Sequence, residues 1–291
     1  MLSKNKTFNN VYAHYLVLPA LGIFFIFFLL PVFVSFPFSF TVWSLTEWRF
    51  TGLDNYIMFF REHSLRIGIQ NTLVFAIVTC VLKVVLGLGL AVLLTSNIRI
   101  KTFMRSVVFF PWILSTVAVG LAFQSFMHPS RGLINSTLAV FGITGPIWLG
   151  DPNIALLSVA LVDVWRGAGM AAMIYIAGIL SIPEEYSEAL QVDGGNSWDK
   201  FRHITLPLVR PSMNTVIILS LIGGLRSFDL IWAMTQGGPG FSTDVMASVI
   251  YKLYINGFYG LSTAGNMILF FMIAILAFPL YHQLTKKEVV L

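Results

Sequence analysis

Charge is scarce in this sequence: Asp, Glu, Lys and Arg make up 11% of its 291 residues, under half of the ~25% usual in soluble domains. Apolar residues make up 57%, and mean hydropathy is +0.81. A soluble fold of this length cannot hide that much apolar surface, whereas a bilayer removes the need for a polar exterior. Cysteine is nearly absent. The single Cys80 sits in an apolar run, so an internal disulfide is excluded and no redox compartment can be read. The five histidines, His14, His63, His128, His203 and His282, are scattered without metal-ligand spacing. No Gly-x-x-x-x-Gly-Lys-Ser/Thr occurs, which excludes nucleotide binding by a P-loop in this chain. No nucleophile elbow or acid–base pair marks a membrane enzyme. Short alternating segments are missing too, which argues against a β-barrel. No run of like charge reaches five, so the net charge of +5 does not point to nucleic acid.

Long apolar runs are what the sequence has. About 20 residues of helix cross the hydrocarbon core, and six such stretches predict spans near 16–40, 69–95, 107–127, 154–180, 212–233 and 262–284. The first follows Lys4 and Lys6 as a secretory signal would. It is too long for one and shows no clear cleavage site, so it reads as a retained span. Between the spans the basic residues divide unevenly. Lys4, Lys6, Arg99, Lys101, Arg105, Lys200, Arg202, Arg210, Lys286 and Lys287 fall on one side; Arg49, Arg61, Arg66, Arg131 and Lys252 fall on the other. The positive-inside rule then predicts both termini in the cytoplasm. The aromatic residues Trp43, Trp48, Trp148, Tyr251, Tyr254 and Tyr259 lie on the extracytoplasmic loops, where rings anchor at the interface.

The cytoplasmic segment 181–211 is unusually long and structured for a connection between spans. Ser181 and Glu184 have capping-box spacing, and Pro183 suits an early helical position. A helix to about Val192 should stop at Gly194 and Gly195. Ser197 is expected to cap a second short helix through Ile204, ended by Pro207 and Pro211. Such an elbow packs either on its own helices or on a separate cytoplasmic partner. Ala189 leaves room for a close approach, and Glu188 offers a carboxylate to a basic group.

These residues resemble the signature loop of permease subunits of binding-protein-dependent ABC importers: Glu-Ala-Ala, three residues, Gly, nine residues, Ile-x-Leu-Pro. Glu188, Ala189, Gly194, Ile204, Leu206 and Pro207 stand at those spacings, and Leu190 replaces the second Ala. Further along, Phe228-Asp229-Leu230-Ile231, Thr235-Gln236-Gly237-Gly238-Pro239, Ser242-Thr243 and Ile250-Tyr251 resemble the carbohydrate subgroup, of the maltose and glycerol-phosphate first-permease type. Asn71-Thr72, Arg105, Pro111 and Gly132 with Asn135 also fit, so the likeness covers nearly the whole chain.

The resemblance implies an all-α membrane domain of six helices in a bacterial or archaeal inner membrane. It implies an extracytoplasmic solute-binding protein, a second permease subunit, a carbohydrate substrate, surrounding lipid, and an ATPase dimer that binds ATP and Mg, with no cofactor in this chain. Glu188, Ala189, Asp193, Gly194, Ile204, Leu206 and Pro207 would couple to that ATPase.

Five charges, Lys83, Asp163, Arg166, Arg226 and Asp229, fall inside the expected spans. Each costs roughly 2.5–3.5 kcal/mol at a helix centre on insertion scales, so they should face the bundle or a wet cavity. Asp163 and Arg166 share a helix face, as do Arg226 and Asp229 in reverse order. Crossed pairs, Asp163 with Arg226 and Arg166 with Asp229, would leave none of these four unpaired. They would form either a structural lattice or, with Trp232, Trp165, Tyr175 and Gln124, a sugar pathway. Lys83 has no evident role. An ion-coupled secondary transporter using Asp163 and Asp229 is the main alternative, although no internal repeat is evident. A channel is disfavoured, because no arginine ladder or carbonyl-filter sequence occurs.

Overall fold

Apolar runs with no water to satisfy their backbone must close their hydrogen bonds internally, and helix is the local solution. The computed structural model describes residues 17–44, 46–96 and 99–286. Four helices are long and apolar enough to cross a bilayer: α1 (Leu18–Phe38), α3 (His63–Thr95), α7 (Ala155–Leu180) and α13 (Tyr259–Thr285). Two bent pairs also qualify if each is one span. These are α4 (Lys101–Ile113) with α5 (Thr116–Phe126), bent by 94°, and α9 (Ser197–Leu208) with α10 (Arg210–Leu225), bent by 65°. Shorter helices are α2 (Asp54–Arg61), α6 (Leu133–Val140), α8 (Glu184–Val192), α11 (Asp229–Met234) and α12 (Met246–Ile255). The remaining regular structure among the described residues is an antiparallel hairpin, β1 (Thr41–Trp43) with β2 (Trp48–Phe50), in the register Thr41–Phe50 and Trp43–Trp48. Buried Asn55 on α2 ties this hairpin down by donating to the carbonyls of Ser39 and Thr41 at 2.9 and 2.8 Å.

α3 is the central helix, packed against α7 and α10. Small residues permit these close crossings. A Cβ at Gly87 would stand 2.7 Å from that of Ala171, and one at Gly224 would stand 2.7 Å from the Cα of Ala76. Around α3 sit three buried clusters. One joins Phe75, Val159, Val162, Leu230 and Ile231. A second joins Leu94, Tyr175, Ile176, Val209 and Val216. The third, built on Phe59, Met246 and Ile250, holds α2, α12 and α13 together. The guanidinium of Arg105 donates to the Leu94 carbonyl at 2.9 Å and closes the C-terminal end of α3. Among the described residues α1 buries none of its side chains, which leaves its apolar surface for lipid or another subunit.

Two expected spans are interrupted. The stretch 107–127 breaks where Leu114 and Ser115 take extended backbone, three residues beyond buried Pro111. The stretch 212–233 breaks after Leu225, beyond Gly223 and Gly224, and Phe228 leaves the helical region altogether. Arg226 and Asp229 therefore flank a break and do not lie within one continuous helix.

Candidate functional site

The intramembrane charges do not pair in the crossed arrangement. Lys83 on α3 donates to Asp163 on α7 at 2.5 Å, with side chains 10% and 16% exposed. This pairing is possible because Gly167, one turn beyond Asp163, has no side chain. A Cβ there would stand 2.5 Å from the Cε of Lys83. Arg166, three residues from Asp163, turns instead to Trp112, its guanidinium carbon 4.9 Å from the ring centroid, and its buried Nε has no hydrogen-bond partner among the described residues. Arg226 and Asp229 are exposed and form no ion pair among the described residues, because the break after α10 turns both outward. Lys83, which the sequence left without a role, is the residue that neutralises Asp163.

The aromatic and amide candidates divide. Trp165 is exposed and packs against Phe123, with centroids 5.1 Å apart. Gln124 is exposed on α5, and Trp232 is half-buried on α11. Tyr175 is fully buried in the second cluster, so it lines no open surface in this conformation.

The segment after α11 carries a polar node built on Asp244, for which the sequence has no local signal. Asp244 is 1% exposed. Lys252 reaches both its oxygens, at 2.9 and 2.8 Å, and the Ser248 hydroxyl donates to Oδ1 at 2.8 Å. Asn71 on α3 donates to the carbonyls of Ser242 and Asp244, at 2.9 and 2.8 Å, and the Thr72 hydroxyl accepts the Met246 N–H at 2.8 Å. Gly237, at φ +90°, lies against this ion pair where a side chain would collide with the Asp244 carboxylate. The eight-residue spacing of Asp244 and Lys252 gives no helical signal, because the first precedes α12 and the second lies within it. Asn71-Thr72 and the Gly-Gly-Pro run, which enter the sequence reading only through the resemblance, are joined by the Asp244 segment: Asn71 holds its backbone, and Gly237 lies against its carboxylate.

The segment 181–211 forms two helices joined by a tight turn. Gly194 adopts φ +77°, and the Gly195 N–H bonds the Leu190 carbonyl at 2.8 Å, which closes α8. Leu190 then packs against Gly195, where a Cβ would meet its Cγ at 2.5 Å. The capping differs from expectation. The Ser181 hydroxyl donates back to the Gly178 carbonyl at 2.8 Å, and Pro183, not Ser181, precedes α8. Asn196, not Ser197, caps α9, in a capping box with Asp199. α9 also runs past Ile204 to Leu208: Pro207 is accommodated within the last turn, and Pro211 opens α10. Glu188, Ala189, Asp193 and Gly194 are exposed, whereas Ile204 is buried and Leu206 and Pro207 are half-buried. The elbow thus has an inner face toward its own bundle and an outer face. Elsewhere on the elbow Tyr186, Val192 and Trp198 are 46%, 89% and 64% exposed.

Comparison with known proteins agrees with this architecture. Residues 83–287 match the family described as the binding-protein-dependent transport system inner membrane component. The trehalose/maltose transport system permease protein MalF of Thermococcus litoralis is 30% identical over 275 residues, covering 94% of this chain and 93% of the relative. The multiple sugar-binding transport system permease protein MsmF of Streptococcus mutans is 34% identical over 265 residues, covering 90% and 91%. In a crystal structure of a bacterial ABC transporter involved in the import of the acidic polysaccharide alginate, one chain superposes with a TM-score of 0.84. It is 23% identical and covered to 94%, as is this chain, which is a likeness of fold. A multi-span helical bundle with an exposed elbow, matched by the family model over most of its length, belongs to the binding-protein-dependent inner membrane components: the chain is a permease subunit of an ABC importer.

Proposed function

We propose that this subunit forms half of a pathway for a sugar or oligosaccharide and is driven through segment 181–211 by a separate ATPase dimer. The observation that carries the coupling is the outer face of the elbow: Glu188, Ala189, Asp193 and Gly194 are exposed beside Tyr186 and Val192, while Ile204 anchors the segment from within. Glu188 holds the ATPase surface, and Gly194 sets the turn. The carbohydrate reading is supported by relatives named for trehalose/maltose, multiple sugars and lactose.

The chain is a six-span domain with both termini in the cytoplasm, each bent helix pair counting as one span. Lys4, Lys6 and Lys287, which enter the orientation count, lie outside the described residues. A second permease completes the pathway, and an extracytoplasmic binding protein delivers the solute. Within the pathway, Asp229, Arg226, Trp232, Gln124 and Arg166 meet the solute. Asp163 acts through its pair with Lys83, and Tyr175 acts as packing. ATP closure of the ATPase pair rotates the permeases as rigid bodies about the solute site. The ion-coupled alternative loses one of its two carboxylates, since Asp163 is already neutralised by Lys83.

Purification from the native membrane in mild detergent tests the reading. Recovery with a P-loop ATPase and a second six-span protein is expected, and the ATPase should be lost when Glu188 and Gly194 are replaced. Solute transport by this chain alone, in vesicles without ATP, would overturn it.

A further inference from the structure

α11 has two faces. Leu230, Ile231 and Met234 are buried in the core, which leaves Asp229 and Trp232, three residues apart, on the opposite side with Phe228. Phe228 stacks on Trp232, with centroids 5.7 Å apart and planes at 21°. Tyr251 of α12 closes the group, 5.2 Å from Phe228 and 4.8 Å from Trp232, edge-on to the latter at 76°. Tyr251 is 39% exposed. Asp229, next to Phe228 in the chain and three residues before Trp232, is exposed, with no hydrogen bond or ion pair from its carboxylate among the described residues.

The support of this wall is rigid. Its two halves come from elements joined by loop 235–245, which Asn71 and Thr72 fasten to α3. The residue after Tyr251 is Lys252, held by buried Asp244. A ring that only anchors a protein at the bilayer interface needs a polar tip near the headgroups. It needs neither two further rings in fixed contact nor an unpaired carboxylate on the same helix face as one of them. A pyranose ring has a flat apolar C–H face and a rim of hydroxyl donors, which match an aromatic wall flanked by an acceptor-only carboxylate.

We propose that Phe228, Trp232 and Tyr251, with Asp229, form a stacking site that receives one pyranose ring of the solute. The aromatic faces cover its C–H side, Asp229 accepts from its hydroxyls, and the Asp244–Lys252 pair positions Tyr251. The inference rests on the carbohydrate reading above.

The test uses membranes holding the complete importer and its binding protein, with maltose, trehalose and lactose as probes. Tyr251→Cys is labelled with a membrane-impermeant maleimide; the native thiol, Cys80, is buried and does not compete. Whichever sugar wild-type membranes take up with ATP should slow labelling severalfold. Trp232→Ala in the same background should abolish that protection, and Trp232→Phe should retain it. A cysteine at exposed Thr46, in the hairpin, should label at the same rate throughout. If Tyr251→Cys does not accumulate, Asp229→Cys carries the same comparison. Labelling indifferent to a sugar that is transported would overturn the site and leave the rings as interface anchors. If none of the three is taken up, the same comparison runs with a panel of other mono-, oligo- and acidic saccharides, and failure of the wild type to take up any of them would overturn the carbohydrate reading and the site with it.

Discussion

Lys83 and Asp163 neutralise each other across the crossing of α3 and α7, in contact at 2.5 Å, and Gly167 provides the space that lets the lysine lie there. Each group would be costly in that position alone. Removing one partner of a buried pair costs about 3–5 kcal/mol, while replacing both with apolar groups is often neutral. Lys83→Met should therefore lower the thermal unfolding midpoint of the detergent-solubilised importer sharply. Lys83→Met with Asp163→Leu should recover most of the loss. Equal loss in the single and double variants would mean that the pair is not coupled.

The second ion pair predicts an asymmetry. Asp244 is 1% exposed on its side chain, but Lys252 is 30% exposed and can turn to water when deserted. Lys252→Met strands a buried carboxylate and should cost about 3–5 kcal/mol. Asp244→Asn keeps an acceptor for Ser248 and should cost about 1–2 kcal/mol, in the range of a weakened charged hydrogen bond. Thermal melts of the two variants side by side check the order; Asp244→Asn proving the worse would contradict it.

At the contact of α4 with α7 a Cβ on Gly169 would run into the Val108 carbonyl oxygen, which belongs to backbone and cannot rotate away. Gly169→Ala should force the helices apart at a cost of about 1–3 kcal/mol, as overpacking does. Gly89, on the same scale of side-chain change, meets nothing within 4 Å. Gly89→Ala should be tolerated, and expression level with melting temperature reads the contrast.

The elbow offers a paired test of turn geometry. Gly194 sits at φ +77° in open space, so Gly194→Val should strain the turn by about 1–2 kcal/mol without a clash. Membrane insertion should be normal, while solute-stimulated ATP hydrolysis no longer drives uptake. Gly195→Ala collides instead with Leu190, so Leu190→Ala introduced beside it should restore coupling. Parallel assays of ATP hydrolysis and uptake in the same vesicles distinguish the two mechanisms. Tight coupling retained in Gly194→Val would remove the turn from the coupling path.

Much of this molecule was legible in its sequence because the bilayer leaves few choices. A run such as 154–180 has to be a helix wherever it sits, and α7 occupies nearly those residues. The stop of α8 at Gly194 was equally local, a matter of one backbone conformation. The breaks at 114–115 and 226–228 were not legible. Hydropathy averages across them, and the apolar side chains continue while the backbone turns. Short spacing alone does not decide the caps of the elbow: Ser181 and Glu184 match the pattern, but the Ser181 hydroxyl is engaged with the helix behind it.

The sequence by itself determined the solvent of this protein, its helical character and the elbow, since these depend on composition and on neighbours a few residues apart. Only the tertiary structure decided which charge meets which. Lys83 and Asp163 are 80 residues apart, and Asn71 lies 173 residues from Asp244. Partnership at such separations depends on helix rotation, on where a glycine leaves a gap and on which helix breaks. Periodicity identifies the face a residue shares with its neighbours on the same helix, but not the helix that face will meet.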